Sequence, residues 1–342
     1  MRESIALSVV VPCYNEEQVL PDLVRRLAEV CSGVGEVYEI VLVNDGSSDQ
    51  TWQVMNGLAQ AQSNLVLVNL SRNHGHQLAL SAGLCVAIGE RVLTIDADLQ
   101  DPPELLPEMM AVMDRGADVV YAQRRRRPGD GMLKRIASTM FYRGLRIMTD
   151  IDVPQDTGDF RLMNRRVVDV LNAMPERRRF LRGMTSWIGF RQEPVFYDRD
   201  ARAAGKSKYP FFKLLRLALD GVTSLSFKPL ALAMYLGLGG VAMGLVLFGY
   251  VVVSLIIRSG ETPTGWASLM AALIMFASLQ LIVLGIIGEY LSQIHEQTKG
   301  RPIFVIDQVV RGREVTADRG SPSRRTQPRD HAHESPYPTA HD

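Results

Sequence analysis

The sequence predicts an α/β domain built on a doubly wound, mostly parallel sheet, followed by two membrane-spanning helices. Three observations predict it. Over residues 1 to about 120, short β-rich runs alternate with amphipathic helical stretches. Past Lys228 lie two uncharged runs, 229–257 and 262–288, each longer than the roughly 20 residues that cross a bilayer. Three of the β-rich runs also end in polar clusters, at the sheet edge where open α/β folds bind ligands.

The elements follow in order. Val9–Val11 leads to a helix over 16–31, Glu39–Val43 to one over 49–62, and Leu65–Asn69 to one over 77–89. Val92–Ile95 leads to a helix over 103–115, which Asp101, Pro102 and Pro103 open. Ala117–Tyr121 makes a fifth strand. From 124 to 209 the chain is irregular, basic and loop-rich, as suits a segment that closes over a ligand. Residues 1–209 therefore form the main domain. In 210–228, Phe211–Leu219 reads as an amphipathic basic helix at a membrane surface.

The spans are placed at 229–257 and 265–290. Lys206, Lys208, Lys213, Arg216 and Lys228 precede the first, Lys299 and Arg301 follow the second, and the loop between holds only Arg258 as a cation. The positive-inside bias keeps both flanks cytosolic, giving a multi-pass protein of the cytoplasmic membrane. Gly240 and Gly244 form a GxxxG that permits close helix packing. A cytosolic segment, 291–310, precedes a tail, 311–342, expected to be disordered, with His331, His333 and His341 solvated.

Over the 342 residues, 38 Lys and Arg nearly balance 37 Asp and Glu. Net charge argues neither for nor against nucleic acid, and no such partner is expected. Cys13, Cys31 and Cys85 lack metal-ligand spacing and read as ordinary buried thiols of a reduced compartment. No secretory signal precedes the first strand.

The polar clusters carry the chemistry. Asp96-Ala97-Asp98-Leu99-Gln100 follows a buried run directly, so two carboxylates and an amide oxygen alternate along one extended segment. That pattern suits one hard cation. Taken alone, such a stretch is an ordinary polar turn. Asn44 and Asp45 stand before an Asp-Gly turn, and Pro12-Cys13-Tyr14-Asn15-Glu16 closes the first strand. Tyr14 can stack on a base and Glu16 can accept its hydrogen bonds. Tyr14, Asp45, Asp96 and Asp98 thus converge from three strand ends.

Together, Val11–Glu16, Asn44–Asp49 and Asp96–Glu104 resemble the inverting enzymes of glycosyltransferase family 2, with the GT-A fold and its Rossmann-like sheet. Within it the chain is most similar to the polyprenyl-phosphate glycosyltransferases, the group of dolichyl-phosphate mannose synthase and the bactoprenol glucosyltransferases. The resemblance covers about 5–305, with Gly158–Met163, Arg179–Gly183, Gly205–Tyr209 and Gly288–Tyr290. It implies that Pro12, Tyr14, Glu16, Asp45, Asp96 and Ala97 hold a UDP- or GDP-linked sugar. Asp96, Asp98 and Gln100 would hold Mg²⁺ or Mn²⁺ against its diphosphate. Arg124, Lys134, Arg135, Arg202 and Lys208 would grip a polyprenyl (undecaprenyl or dolichyl) phosphate. Asp98, Arg124 and Asp159 are the expected catalytic residues, Asp159 in positioning more than in proton removal. A lipid monophosphate is largely a dianion at neutral pH and needs no strong base. Inverting transfer of glucose or mannose follows, by a homo-oligomer, a tetramer by resemblance. His74 and His76 have ligand-like spacing but read as structural, because hard cations favour oxygen.

Two other readings compete. A processive polysaccharide synthase would carry Trp after its Gln/Arg-x-x-Arg, but Arg179-Phe180-Leu181-Arg182 is followed by Gly183. A non-catalytic membrane scaffold would not need Asp45, Asp96, Asp98 and Asp159 intact.

Overall fold

The computed structural model describes residues 4–125, 157–197, 265–311 and 314–316, with parts of 230–253. Its strands are β1 (Leu7–Cys13), β2 (Tyr38–Asn44), β3 (Leu65–Leu70), β4 (Arg91–Thr94), β5 (Val119–Arg124), β6 (Thr157–Asn164), β7 (Gln192–Tyr197), β8 (Ile306–Arg311) and β9 (Glu314–Thr316). The helices are α1 (Leu20–Val34), α2 (Thr51–Ala61), α3 (His76–Val86), α4 (Leu106–Asp114, after a 3₁₀ turn at Pro103–Leu105), α5 (Arg165–Ala173), α6 (Leu181–Ile188) and α7 (Trp266–Thr298).

The strands form one sheet in the order β7-β5-β6-β4-β1-β2-β3-β8-β9. Pairing within β4-β1-β2-β3 is parallel, because a helix crosses over between successive strands. Beyond them β5 and β7 are also parallel, but the other pairings make the sheet mixed where a mostly parallel one is expected. Strand β6 runs antiparallel between β4 and β5, and β8 runs antiparallel against β3. The sheet is mixed because its flanks come from long excursions of the chain, which are not bound to return in the same direction.

Alternate strand residues feed two cores, so the inner strands are apolar on both faces. Val9, Val11, Ile40, Leu42, Leu65 and Leu67 pack under α1, α2 and α4. Val10, Val41, Val43, Val66 and Val68 pack under α3, α5 and α6.

Two boundaries move. Residues placed in a cytosolic segment and a disordered tail form β8 and β9, which extend the sheet beyond β3. The buried Glu39 anchors this addition: it accepts hydrogen bonds from Ser8 Oγ, the Ile88 amide and Arg311 Nη1 (3.0 Å). One helix among the described residues is long and apolar enough to cross a membrane, over Met275–Thr298, about 36 Å of rise. Leu281, Ile282 and Leu284 on it are exposed, the inverse of a core helix. Its C-terminal half is tied to the domain, since Arg178 pairs with Glu289 (2.8 Å) and reaches Glu296 (3.7 Å). The expected helix at 210–228 and most of the first span lie outside the described residues. Cys13 and Cys31 are buried thiols, as expected, but Cys85 is exposed.

Candidate active site

The site is built on the carboxyl ends of β1, β2 and β4, where three loops are laced together. Asn15 Oδ1 accepts from the Ser48 amide (2.8 Å), and the Asn15 amide donates to Ser47 Oγ. Asn15 sits at φ 58°, a left-handed conformation that Asn tolerates better than most residues. Gly46, also left-handed, touches the loop after β3: a Cβ there would lie 2.4 Å from the Arg72 carbonyl carbon. Only glycine fits that contact.

Asp45 is buried beneath this lattice. Its Oδ1 accepts from the His74 amide (2.7 Å) and its Oδ2 from the Gly75 amide (3.0 Å). Asp45 thus fixes the β3–α3 loop, although burial pushes its carboxyl above the usual range. Pro12 is buried at the end of β1, while Tyr14 is exposed beside it.

The loop after β4 leaves buried polar atoms without partners. Asp96 Oδ1, Gln100 Nε2 and Asp101 Oδ2 accept or donate no hydrogen bond among the described residues. Leu99 between them is held at φ 58°, and Asp98 Oδ1 accepts from the Gln100 amide (3.1 Å). Strain and unmet polar atoms concentrated in one loop point to a ligand that completes it. Burial, with the nearby Asp159, Asp101 and Asp98, pushes Asp96 up to about 6 despite His76. Burial and then Asp98, Asp49 and Asp96 push Glu16 up to about 6. These carboxylates repel one another, and only His76 offsets Asp96 among the causes that shift it. An oxygen-rich donor set of this kind fits a hard divalent cation, and turning the Gln100 amide end for end would offer oxygen at its unpaired position.

Asp159 on β6 behaves differently. Its Oδ1 accepts from Arg182 Nε (2.9 Å); its Oδ2 faces Gln77 Nε2 (2.8 Å), His76 Nε2 (3.0 Å) and Arg182 Nη2 (3.2 Å). It is buried, yet these partners hold its carboxyl far below the usual range. A carboxylate so satisfied stays ionised at neutral pH and is a poor proton acceptor. His76 Nε2 also stands 3.4 Å from Asp96 Oδ1. His76, Asp96 and Asp159 could together face one ion, although the Asp159 oxygens are already committed to Arg182.

Arg124 ends β5 near this loop. Its Nε donates to Tyr197 Oη (3.0 Å), and its Nη2 lies 3.6 Å from Asp101 Oδ1. Lys134, Arg135, Arg202 and Lys208 lie outside the described residues.

A model described as Glycosyl transferase family 2 matches residues 8–171. An uncharacterized glycosyltransferase, YkcC of Bacillus subtilis, is 44% identical over 308 residues, covering 90% of this chain and 95% of its own. The chain belongs to glycosyl transferase family 2. This family 2 enzyme is also 37% identical over 306 residues to the bactoprenol glucosyl transferase of Shigella phage SfII, covering 90% and 99% of the two chains. A solved structure of glucosyl-3-phosphoglycerate synthase from Mycobacterium tuberculosis is 19% identical, with TM-score 0.44, covering 64% and 78%.

Within this family 2 site the structure adds residues that the spacing of motifs did not single out. His76, read as structural, belongs to the polar centre, with Gln77, Arg182, Asp101 and Tyr197. Of these, His76 and Arg182 offered a signal, a polar residue beside each motif. Asp101 was masked by its role as a helix opener, and Tyr197 is reached only through the parallel pairing of β5 with β7.

Proposed function

We propose that this family 2 glycosyltransferase moves one hexose, glucose or mannose, from a nucleotide diphosphate sugar to polyprenyl phosphate at the cytoplasmic membrane, inverting the anomeric centre. The single observation that carries the reading is the juxtaposition of two opposite charge sets on neighbouring loops. Asp96, Asp98 and Gln100 form an acidic lip in which Asp96 Oδ1 and Gln100 Nε2 have no hydrogen-bond partner among the described residues, while Arg124 stands beyond Asp101 with no described residue on its Nη1. The extended similarity to enzymes named bactoprenol glucosyl transferases supports the choice of acceptor.

Asp96, Asp98 and Gln100 would hold Mg²⁺ or Mn²⁺, which when bound neutralises the leaving diphosphate. Tyr14, Pro12, Ala97 and Glu16 border the place for the base and ribose. Asp45 serves that place from beneath, by fixing the β3–α3 loop. Asp159 holds His76 and Arg182 in line with the lip and stays ionised throughout. The acceptor phosphate supplies its own nucleophile, so no side chain needs to remove a proton. Arg124 grips that phosphate bidentately, and Lys134, Arg135, Arg202 and Lys208 would complete the grip. Helix α7, with the span over 229–257, would anchor the enzyme, with both flanks cytosolic and copies packed into an oligomer.

The test is a panel of UDP- and GDP-sugars incubated with radiolabelled polyprenyl phosphate, followed by solvent extraction. Label shift on the lipid, dependent on one donor, supports the reading. Nucleotide release that is indifferent to added lipid phosphate overturns it.

A further inference from the structure

We infer that Tyr197 and Asp101 are positioning residues, which clamp the Arg124 guanidinium in the orientation that receives the acceptor phosphate. The inference rests on the acceptor reading given above.

Arg124 and Tyr197 are the last residues of β5 and β7, and they are register partners in that parallel pair. The Arg125 amide donates to the Tyr197 carbonyl (2.8 Å), so the two strand ends are fixed to each other. Their side chains lie close as well. Tyr197 Oη accepts from Arg124 Nε (3.0 Å) and donates to Asp101 Oδ1. A phenol that accepts from one partner and donates to another must keep its proton, and Tyr197 is buried with its hydroxyl pushed up to about 12. Phe160 fixes the ring from the side, edge-on at 6.2 Å.

The arrangement separates orientation from neutralisation. Asp101 is fully buried, and a direct bidentate pair with Arg124 would occupy both nitrogens that a phosphate needs. Instead the phenol stands between them, and the nearest guanidinium nitrogen is 3.6 Å from the carboxylate. The side chain is held at Nε, which leaves the Nη nitrogens as the face turned away from the phenol. Among the described residues, none takes Arg124 Nη1. Gly158 closes the slot from the other side: a Cβ there would lie 3.3 Å from Arg124 Nη2 and 3.7 Å from Asp101 Oδ2. A long cationic side chain fixed in advance loses less entropy on gripping its ligand.

The test measures KM for polyprenyl phosphate and for the nucleotide sugar separately, with a thermal melt of each variant. Tyr197→Phe keeps the ring and removes both hydrogen bonds. It should raise the lipid-phosphate KM roughly tenfold, the loss of one charge-assisted bond, and leave the nucleotide-sugar KM unchanged. Gly158→Ala, which presses on Nη2 without touching Tyr197, should show the same split. In an Arg124→Ala background, Tyr197→Phe should add nothing. Equal losses for both substrates, or a full loss persisting without Arg124, overturn the clamp. If Tyr197→Phe melts early, the Gly158→Ala split decides alone. An Arg124→Ala variant with unchanged lipid KM overturns the acceptor reading itself, and the clamp with it.

Discussion

His76 Nε2 lies 3.0 Å from Asp159 Oδ2, and the same nitrogen faces Asp96 Oδ1 at 3.4 Å. One imidazole therefore bridges a carboxylate that is fully satisfied and one that is not. The satisfied member is a support and the unsatisfied one a ligand-facing group, and the first predictions follow from that division.

Asp159→Asn should cost activity without exposing a missing base. The variant leaves Arg182 and His76 without their common counter-charge, and breaking a buried pair costs about 3–5 kcal/mol. Melting temperature should fall clearly. The pH–rate profile of the residual activity should keep the wild-type shape, because Asp159 stays ionised across the working range. Loss of a basic limb would assign it the proton-accepting role.

Asp98→Ala should abolish transfer while the fold persists. Within its own loop Asp98 Oδ1 accepts from the Gln100 amide, a bond worth about 1 kcal/mol, and the side chain lies at the strand-end lip rather than in either apolar core. Circular dichroism and melting should therefore change little. Transfer at a near-normal rate would remove Asp98 from the cation site.

Divalent binding should stabilise the protein more at pH 7 than at pH 5. Asp96 and Glu16 have folded pKa values raised to about 6. The folded form therefore binds more protons than the unfolded chain between about pH 4 and 6, and these two groups lose stability as pH rises through that window. A cation reverses the penalty only where the carboxylates are ionised. Melting curves with and without Mn²⁺ at the two pH values check this, and equal shifts would sink it.

Arg311→Ala should destabilise the catalytic domain, although Arg311 lies beyond the long apolar helix. Glu39 would keep its bonds from Ser8 and Ile88 but lose the one at Oε2, at a cost of about 1–3 kcal/mol. A melting temperature equal to wild type would show β8 to be an accessory strand.

Much of this was legible from the sequence, for local reasons. The inner strands β1 to β4 announce themselves because both faces are buried and each run is apolar. The lip Asp96–Gln100 is legible because a strand end and a loop lie next to each other in the chain. The missing parts depend on distant pairing. Strand β8 contains Asp307, Gln308 and Arg311, and becomes a strand only because β3 offers an open edge. The partnership of Arg124 with Tyr197 spans 73 positions and requires β7 to dock on β5. By sequence His76 reads as structural, because hard cations favour oxygen, whereas the fold uses it to bridge two carboxylates.

Strand β8 also dictates an order of events during biosynthesis. The open edge of β3 is closed only by residues made after α7, so the ribosome must deliver that apolar helix before the sheet is complete. Until then the nascent domain presents an unpaired β edge, a hazard for sticking to other chains. Emergence of the apolar helix and completion of the sheet are thus steps of one maturation, and a chain stalled between them should be met by chaperones.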